Sequence, residues 1–212
     1  MPSPRVHRSP SFAECFRFPV ATRDARRDLL IGGTLLLLTL PGWILNMGHR
    51  LTVVSRAWHD DPPYFRGFRP WRPTFRRGLQ ALAAIVVYLS PSIAVAVLAW
   101  RSWPGRATWL AAEAAGLLFS VGVFALPGGM TRNAVAGDLS YLVRPDRALR
   151  TALAGGRAYL KAWLIAASAV ALSFLGLAAA VVGFLYTSVW AWSVAGFAFT
   201  SALQDKRTRP DR

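Results

Sequence analysis

The sequence is short of the residues from which soluble active sites are assembled. It has one cysteine, Cys15, so no disulfide can close within the chain, and no Cys/His spacing resembles a zinc site. Its histidines, His7, His49 and His59, are far apart, which argues against a metal cluster. Acidic residues number only 10 against 25 Lys plus Arg. Charged residues together make up 17% of the 212 positions, too few to clothe a soluble domain of this length. From Ala162 to Gln204 there is no charge at all.

What the chain has instead is apolar sequence, 54% of it, gathered into long runs. Runs of about 20 residues are what a helix needs to cross a hydrocarbon core of roughly 30 Å. The expectation is an all-α, polytopic helical membrane bundle with four to five hydrophobic spans. Its first segment is broken at a Pro-Gly pair, and short amphipathic helices lie at the interface. The net charge of +15 flanks the apolar runs and forms no separate module, so anionic lipid headgroups are the expected counter-charge and nucleic acid is not. The first apolar run begins only at Leu29, after Glu14, Asp24 and Asp28, and no A-x-A-like site follows, so the chain is expected to be retained uncleaved.

Three regions follow from this pattern: a polar, Arg-rich N-terminal tail (1–28), a helical transmembrane domain (29–203) and a charged C-terminal tail (204–212). In the tail, Phe12, Phe16 and Phe18 are placed to dip into the membrane interface. In the first apolar segment, Leu29 to Gly48, Pro41-Gly42 falls near the middle and predicts a kink or break. Beyond it, Leu51, Val54 and Trp58 recur at helical spacing and suggest an interfacial amphipathic turn or two. The loop 59–77 carries four prolines and five arginines, which exclude a spanning element. A second span runs from Leu79 to Trp100 with a kink expected at Pro91, and a third from about Ala107 to Met130. Trp100, Trp103 and Trp109 cluster at the turn between them, as in an interfacial aromatic belt. In the next polar stretch Ala148, Leu149, Ala152 and Leu153 share a helical face, Pro145 suits the first turn, and Gly155-Gly156 suits the stop. The uncharged run from Ala162 is too long for one span and fits two, turning around Gly176 to Gly183.

Orientation follows from the basic residues. If the first segment spans, the better arrangement puts 17 Lys and Arg on one side and 8 on the other. If it enters and leaves on one face, the split is 23 against 2, close to an ideal positive-inside pattern. Both arrangements place the main basic loops in the cytoplasm, and both remain open at this stage.

The stretches FRFPVATRDARRDLLIGG, LLTLPGWILNMGHRLTVVSRAW, DDPPYFRGF and GLQALAAIVVYLSP resemble the prokaryotic membrane family catalogued as domain of unknown function 4013. The matching positions are Gly32, Gly33, Pro41, Gly42, Trp43, Asp60, Asp61, Pro62, Pro63, Phe65, Gly78, Leu79, Tyr88 and Pro91. The resemblance covers roughly residues 16–203 and is specific over 16–91. It implies a multi-pass membrane protein and no particular activity. The family's loop after the second proline tends to be acidic, whereas here it carries Arg66, Arg69, Arg72, Arg76 and Arg77.

Few residues offer chemistry. Glu113 is the lone carboxylate inside a candidate span, which makes it a possible proton relay or cation site, although its place in the first turns also lets it reach water or Arg106. Asp60-Asp61 beside His59 fits a divalent cation less well than a turn or cap. Asn46 is placed to satisfy backbone groups freed by the Pro-Gly break. Ser90 and Ser92 flank Pro91 with no histidine to activate either. Pro127-Gly128-Gly129 reads as a helix terminus, since no P-loop spacing accompanies it. No cofactor is expected. The expected role is a non-enzymatic scaffold or accessory subunit of the plasma or inner membrane, paired with a membrane protein or a second copy of itself. Arg66, Arg69, Arg72, Arg76, Arg77, Arg147 and Arg150 are its expected headgroup contacts. The alternatives are a small transporter or channel using Glu113 and the broken segment, and, third, a membrane-embedded lipid-processing enzyme.

Overall fold

The computed structural model describes residues 9–102 and 106–204. Among these there is no strand, and the helices are α1 (Phe12–Arg17), α2 (Arg23–Leu35), α3 (Leu40–Trp58), α4 (Trp71–Ser102), α5 (Arg106–Ala136), α6 (Ser140–Val143), α7 (Pro145–Ser173) and α8 (Ala180–Gln204). Four stretches are long and apolar enough to cross a membrane: Trp71–Arg101, Thr108–Ala136, Pro145–Ala179 and Val182–Gln204. The chain divides into two compact units, Gln80–Ala154 and the remainder on either side of it.

In the flanking unit, α2 starts where Thr22 Oγ1 accepts the Ala25 N–H at 3.1 Å, with Asp24 in the first turn against the helix dipole. It ends in a 3-10 turn, Leu36–Leu38, and at Thr39 the backbone takes φ 54°, outside what a β-branched residue ordinarily adopts. The chain reverses there, and α3 opens with Pro41 in its first turn. The two helices are antiparallel: Leu35 backs onto Gly42, Gly32 onto Asn46, and Asp28 onto His49. The first apolar segment is therefore a helical hairpin whose corner precedes the Pro-Gly pair.

Helix α8 packs along both arms of this hairpin. Gln204, at its end, donates to the Trp58 carbonyl at 2.6 Å and so caps the last turn of α3. Leu51, Val54 and Trp58 are buried, which corrects the interfacial expectation: the apolar face of α3 is covered by protein. Phe18, buried, is corrected in the same way, and Phe16 is half-buried. Phe18 stacks on Phe197 with ring centres 4.1 Å apart, and Phe16 meets Trp190 edge-on at 5.2 Å. Helix α3 and the start of α4 cross at two glycines; a Cβ at Gly48 would lie 1.8 Å from the Thr74 carbonyl oxygen, and one at Gly78 1.9 Å from that of Ile44. In α7 the helix is interrupted at Gly156, where φ is 56°. Residues 157–173 then lead through the 3-10 turn Phe174–Ala179 into α8, and Thr187 Oγ1 donates back to the Ser173 carbonyl at 2.7 Å.

In the unit Gln80–Ala154, α4 runs through Pro91 without ending, and α5 runs through Pro127 to Ala136. The expected terminus at Pro127-Gly128-Gly129 is thus overturned. Gly129 instead admits its neighbours, the Tyr141 carbonyl, the Tyr88 hydroxyl and Ala148. Tyr88 donates to that carbonyl at 2.8 Å, and Tyr88, Ala125 and Ala148 form the buried cluster of this unit. The true stop is Gly137, at φ 69°, whose N–H bonds the Asn133 carbonyl at 2.8 Å. Ser90 Oγ donates to the Val87 carbonyl, a backbone role. Trp100 and Trp109 are strongly exposed, while Trp103 lies outside the described residues.

Candidate functional site: a buried carboxylate–imidazole pair beneath the first loop

The hairpin brings together two ionisable side chains that lie far apart in sequence. Asp28, 1% exposed, projects from α2 toward α3, and its Oδ2 lies 3.2 Å from His49 Nε2. The same carboxylate oxygen accepts the backbone N–H of Gly67 at 2.8 Å. Arg27 Nε stands 3.8 Å from Oδ1, which has no hydrogen bond of its own. Phe68 stacks on the His49 ring at 4.3 Å, and Phe65 approaches it at 6.3 Å. Phe65 is in turn buried with Phe18, Ala25 and Val53.

Each partner is held by the fold. The Thr39 reversal sets the register of α2 against α3. Gly67 has φ 76°, a conformation that glycine adopts without strain, and this turns its N–H onto the carboxylate. One and two helical turns beyond, Asn46 Nδ2 donates to the Gly32 carbonyl at 3.0 Å and to the Gly42 carbonyl at 2.9 Å, binding the arms together. Behind them Arg50 lies over the Trp192 ring at 5.2 Å, and α8 itself carries no charged residue. A buried charge is costly unless paired and hydrogen-bonded. Here the pair is used to fix the loop 59–70 onto the hairpin. What the arrangement can do is brace a loop. Among the described residues no group of three or more His, Cys, Asp or Glu could hold a metal ion.

The residues singled out in the sequence fall elsewhere. Glu113 is exposed on α5, in the unit Gln80–Ala154, whereas Pro41 and Gly42 belong to the hairpin of the other unit. His59, Asp60 and Asp61 form a turn: Arg56 pairs with Asp61 and donates to the Pro63 carbonyl at 2.9 Å, and His59 Nδ1 lies 2.7 Å from the Ser55 carbonyl. The hydrogen bond from Arg56 holds the Asp61 carboxyl below the usual carboxylate range. Arg66, Arg69, Arg72, Arg76 and Arg77 are all exposed; Arg77 donates to Thr52 Oγ1 at 3.0 Å, and Arg72 lies over Trp71 at 5.5 Å. Arg147 is turned to Ser140 Oγ at 2.8 Å, and Arg150 pairs with Asp146 at 2.8 Å. Burial pushes the Cys15 thiol up to about 12, which leaves it protonated and unreactive at neutral pH.

The positions shared with the family acquire physical reasons. Gly32 and Gly33 admit Asn46 and Tyr186, Gly42 admits the Leu35 carbonyl, Gly78 admits Ile44, and Phe65 fills the core beneath the loop. No curated protein and no solved structure matches the chain. Residues 31–186 match the family described as protein of unknown function (DUF4013), and the chain belongs to that family.

Proposed function

We propose that the chain is a multi-pass protein of the cell membrane, with four spans and one re-entrant hairpin, that serves as a non-enzymatic scaffold or accessory subunit. The observation that supports this reading is the polarity of the hairpin along its length. Its corner exposes Leu37, Leu38 and Leu40, while its open end carries Arg23, Arg26, Arg27 and the Arg56–Asp61 pair. Such an element enters lipid corner first and returns. Part of its corner backbone is bonded within the protein, which lipid favours: Thr39 N–H bonds the Leu36 carbonyl at 2.9 Å, Trp43 N–H that of Thr39 at 3.0 Å, and Asn46 bridges the arms. With four crossings after it, every Lys and Arg except Arg101 and Arg106 lies on one face, the cytoplasmic one by the positive-inside rule. That face rests on anionic headgroups through Arg66, Arg69, Arg72, Arg76, Arg77 and Arg150, and the exposed apolar helices meet lipid and a companion membrane protein or a second copy.

Topology is tested by single-cysteine labelling in a Cys15→Ala background. Arg23→Cys and Arg150→Cys should react only from the cytoplasm, Arg101→Cys only from outside, and Leu38→Cys from neither side. Labelling at position 23 from outside would replace the hairpin with a span. The scaffold role is tested by recovering the tagged chain from native membranes in lipid discs, where a stoichiometric companion is expected. Solute flux or lipid turnover by the purified chain alone would overturn it.

A further inference from the structure

We propose that the open end of the hairpin is a binding site for the phosphate of an anionic lipid headgroup, formed by Arg27, Arg66 and Arg69. The proposal rests on the re-entrant reading above and names the partner at one place on the basic face.

Two groups that are expensive to bury, Asp28 and His49, are committed to holding a single loop. Asp28 takes the Gly67 N–H, and His49 carries the Phe68 ring. Gly67 and Phe68 are the two residues between Arg66 and Arg69, so fixing them anchors both arginines at the edge of α2. Arg27 closes the third side: its Nη2 lies 3.5 Å from the point a Cβ on Gly67 would occupy. Arg27 retains 58% side-chain exposure, and Arg66 and Arg69, exposed, flank the Gly67-Phe68 pair that Asp28 and His49 hold, so the backbone of all three arginines is fixed around one anchored turn.

The nearby carboxylates cancel only part of this charge: Asp28 Oδ1 lies 3.8 Å from Arg27 Nε, and Asp61, which feels the Arg66 charge, is already paired with Arg56. Asp24, half-buried in the first turn of α2, and the exposed Asp60 are set against Arg23, Arg26, Arg27, Arg66 and Arg69, so the sum stays positive. Planar guanidinium forks suit phosphate oxygens, which they can grip two bonds at a time.

Depth selects a lipid over a soluble phosphate. From Arg27 to Leu36, where the corner begins, α2 rises about 14 Å at the helical rise per residue. Half of a hydrocarbon core is about 15 Å. A hairpin whose leucine corner reaches the bilayer midplane therefore presents Arg27 at the edge of the hydrocarbon, from which its long side chain extends outward to the headgroup phosphates.

The test uses the purified full chain in discs of phosphatidylcholine with a minor share of phosphatidylglycerol, counting retained lipid by native mass spectrometry. The variants are Arg27→Gln/Arg66→Gln/Arg69→Gln and, as an equal loss of charge on the same face, Arg17→Gln/Arg144→Gln/Arg157→Gln. The native chain should retain phosphatidylglycerol selectively; the first variant should lose about tenfold in that selectivity and the second should keep it. Asp28→Asn, which keeps all three arginines but loosens the loop, should fall between them, with melting measured to confirm that each variant folds. Equal losses in the two triple variants would overturn the site while leaving a diffuse basic face intact. No selectivity in the native chain would overturn both the site and the lipid-facing reading. Complete displacement by free pyrophosphate would make the ligand a soluble phosphate and overturn the lipid assignment.

Discussion

Gly33 of α2 lies flat against the ring of Tyr186 on α8, so close that a methyl group added there would fall 2.1 Å from Tyr186 Cδ1. The ring is also tethered by its hydroxyl, 3.1 Å from Thr34 Oγ1. Gly33→Ala must push the ring or the helix away, at an expected cost of about 1–3 kcal/mol. Thermal melting followed by tryptophan fluorescence reads this, and Tyr186→Ala in the same chain should recover part of the loss. An unchanged melt for Gly33→Ala would mean that α2 and α8 do not meet through this glycine.

The Asp28–His49 pair should behave as a unit. Replacing either residue alone with leucine leaves its partner short of a polar contact in the core, although Asp28 keeps the Gly67 N–H, and the expected loss is about 1–3 kcal/mol. Replacing both should cost clearly less than the sum, leaving a coupling of about 0.5–3 kcal/mol in a double-mutant cycle. Additive losses would show that the two side chains are independent.

Asn46→Leu removes the donor shared by the Gly32 and Gly42 carbonyls. The Gly32 carbonyl keeps the Leu36 N–H, so the loss is that of a net hydrogen bond between the arms, about 0.5–1.5 kcal/mol, and the melting temperature should fall accordingly. Asn46→Asp, similar in shape but unable to donate when ionised, should be no better. A stable leucine variant would mean that the arms are held by packing alone.

The Arg56–Asp61 clasp predicts a one-sided response to pH. The Asp61 carboxyl is held below its ordinary range, first by the hydrogen bond from Arg56 and further by the charges of Arg56, Arg66 and His59. A depressed value means that the unfolded chain binds the proton more readily, so the contribution is complete above the ordinary carboxylate range and vanishes as pH falls through the lowered value. Carbon-13 NMR of the Asp61 carboxyl in micelles should show a titration displaced to acid, and Arg56→Gln should move it back. A carboxyl titrating in the ordinary range in the native chain would rule out the clasp.

The sequence exposes some of these features and conceals others, for identifiable reasons. The four long helices are legible because each is an apolar run of membrane length, and the interruption of α7 because Gly155-Gly156 follows an amphipathic turn. Pro127 and Gly129 mislead because a breaker is judged locally, whereas here Tyr88, Tyr141 and Ala148 pack against the glycine and the helix continues. Leu51, Val54 and Trp58 mislead because an amphipathic face has the same period whether lipid or protein covers it. The Asp28–His49 pair is concealed because contact depends on where the chain reverses. Asp28 reads as the last residue of a polar tail and His49 as an isolated imidazole until Thr39 sets them opposite one another. A usable signal is present all the same: once a hairpin is assumed, the lone polar residues of its two arms fall opposite partners, Asp28 to His49 and Asn46 to the Gly32 carbonyl.

The corner at Leu36–Thr39 also bears on how such chains change over time. A segment that returns to its own side leaves the parity of crossings untouched, whereas a hydropathy trace counts it as one more passage and assigns every later loop to the wrong compartment. In the proposed arrangement, the sidedness of everything beyond Trp58 depends on a few residues that turn the backbone around. A relative that straightened that corner, fusing the two arms into one crossing, would face the opposite way with its hydropathy profile unchanged.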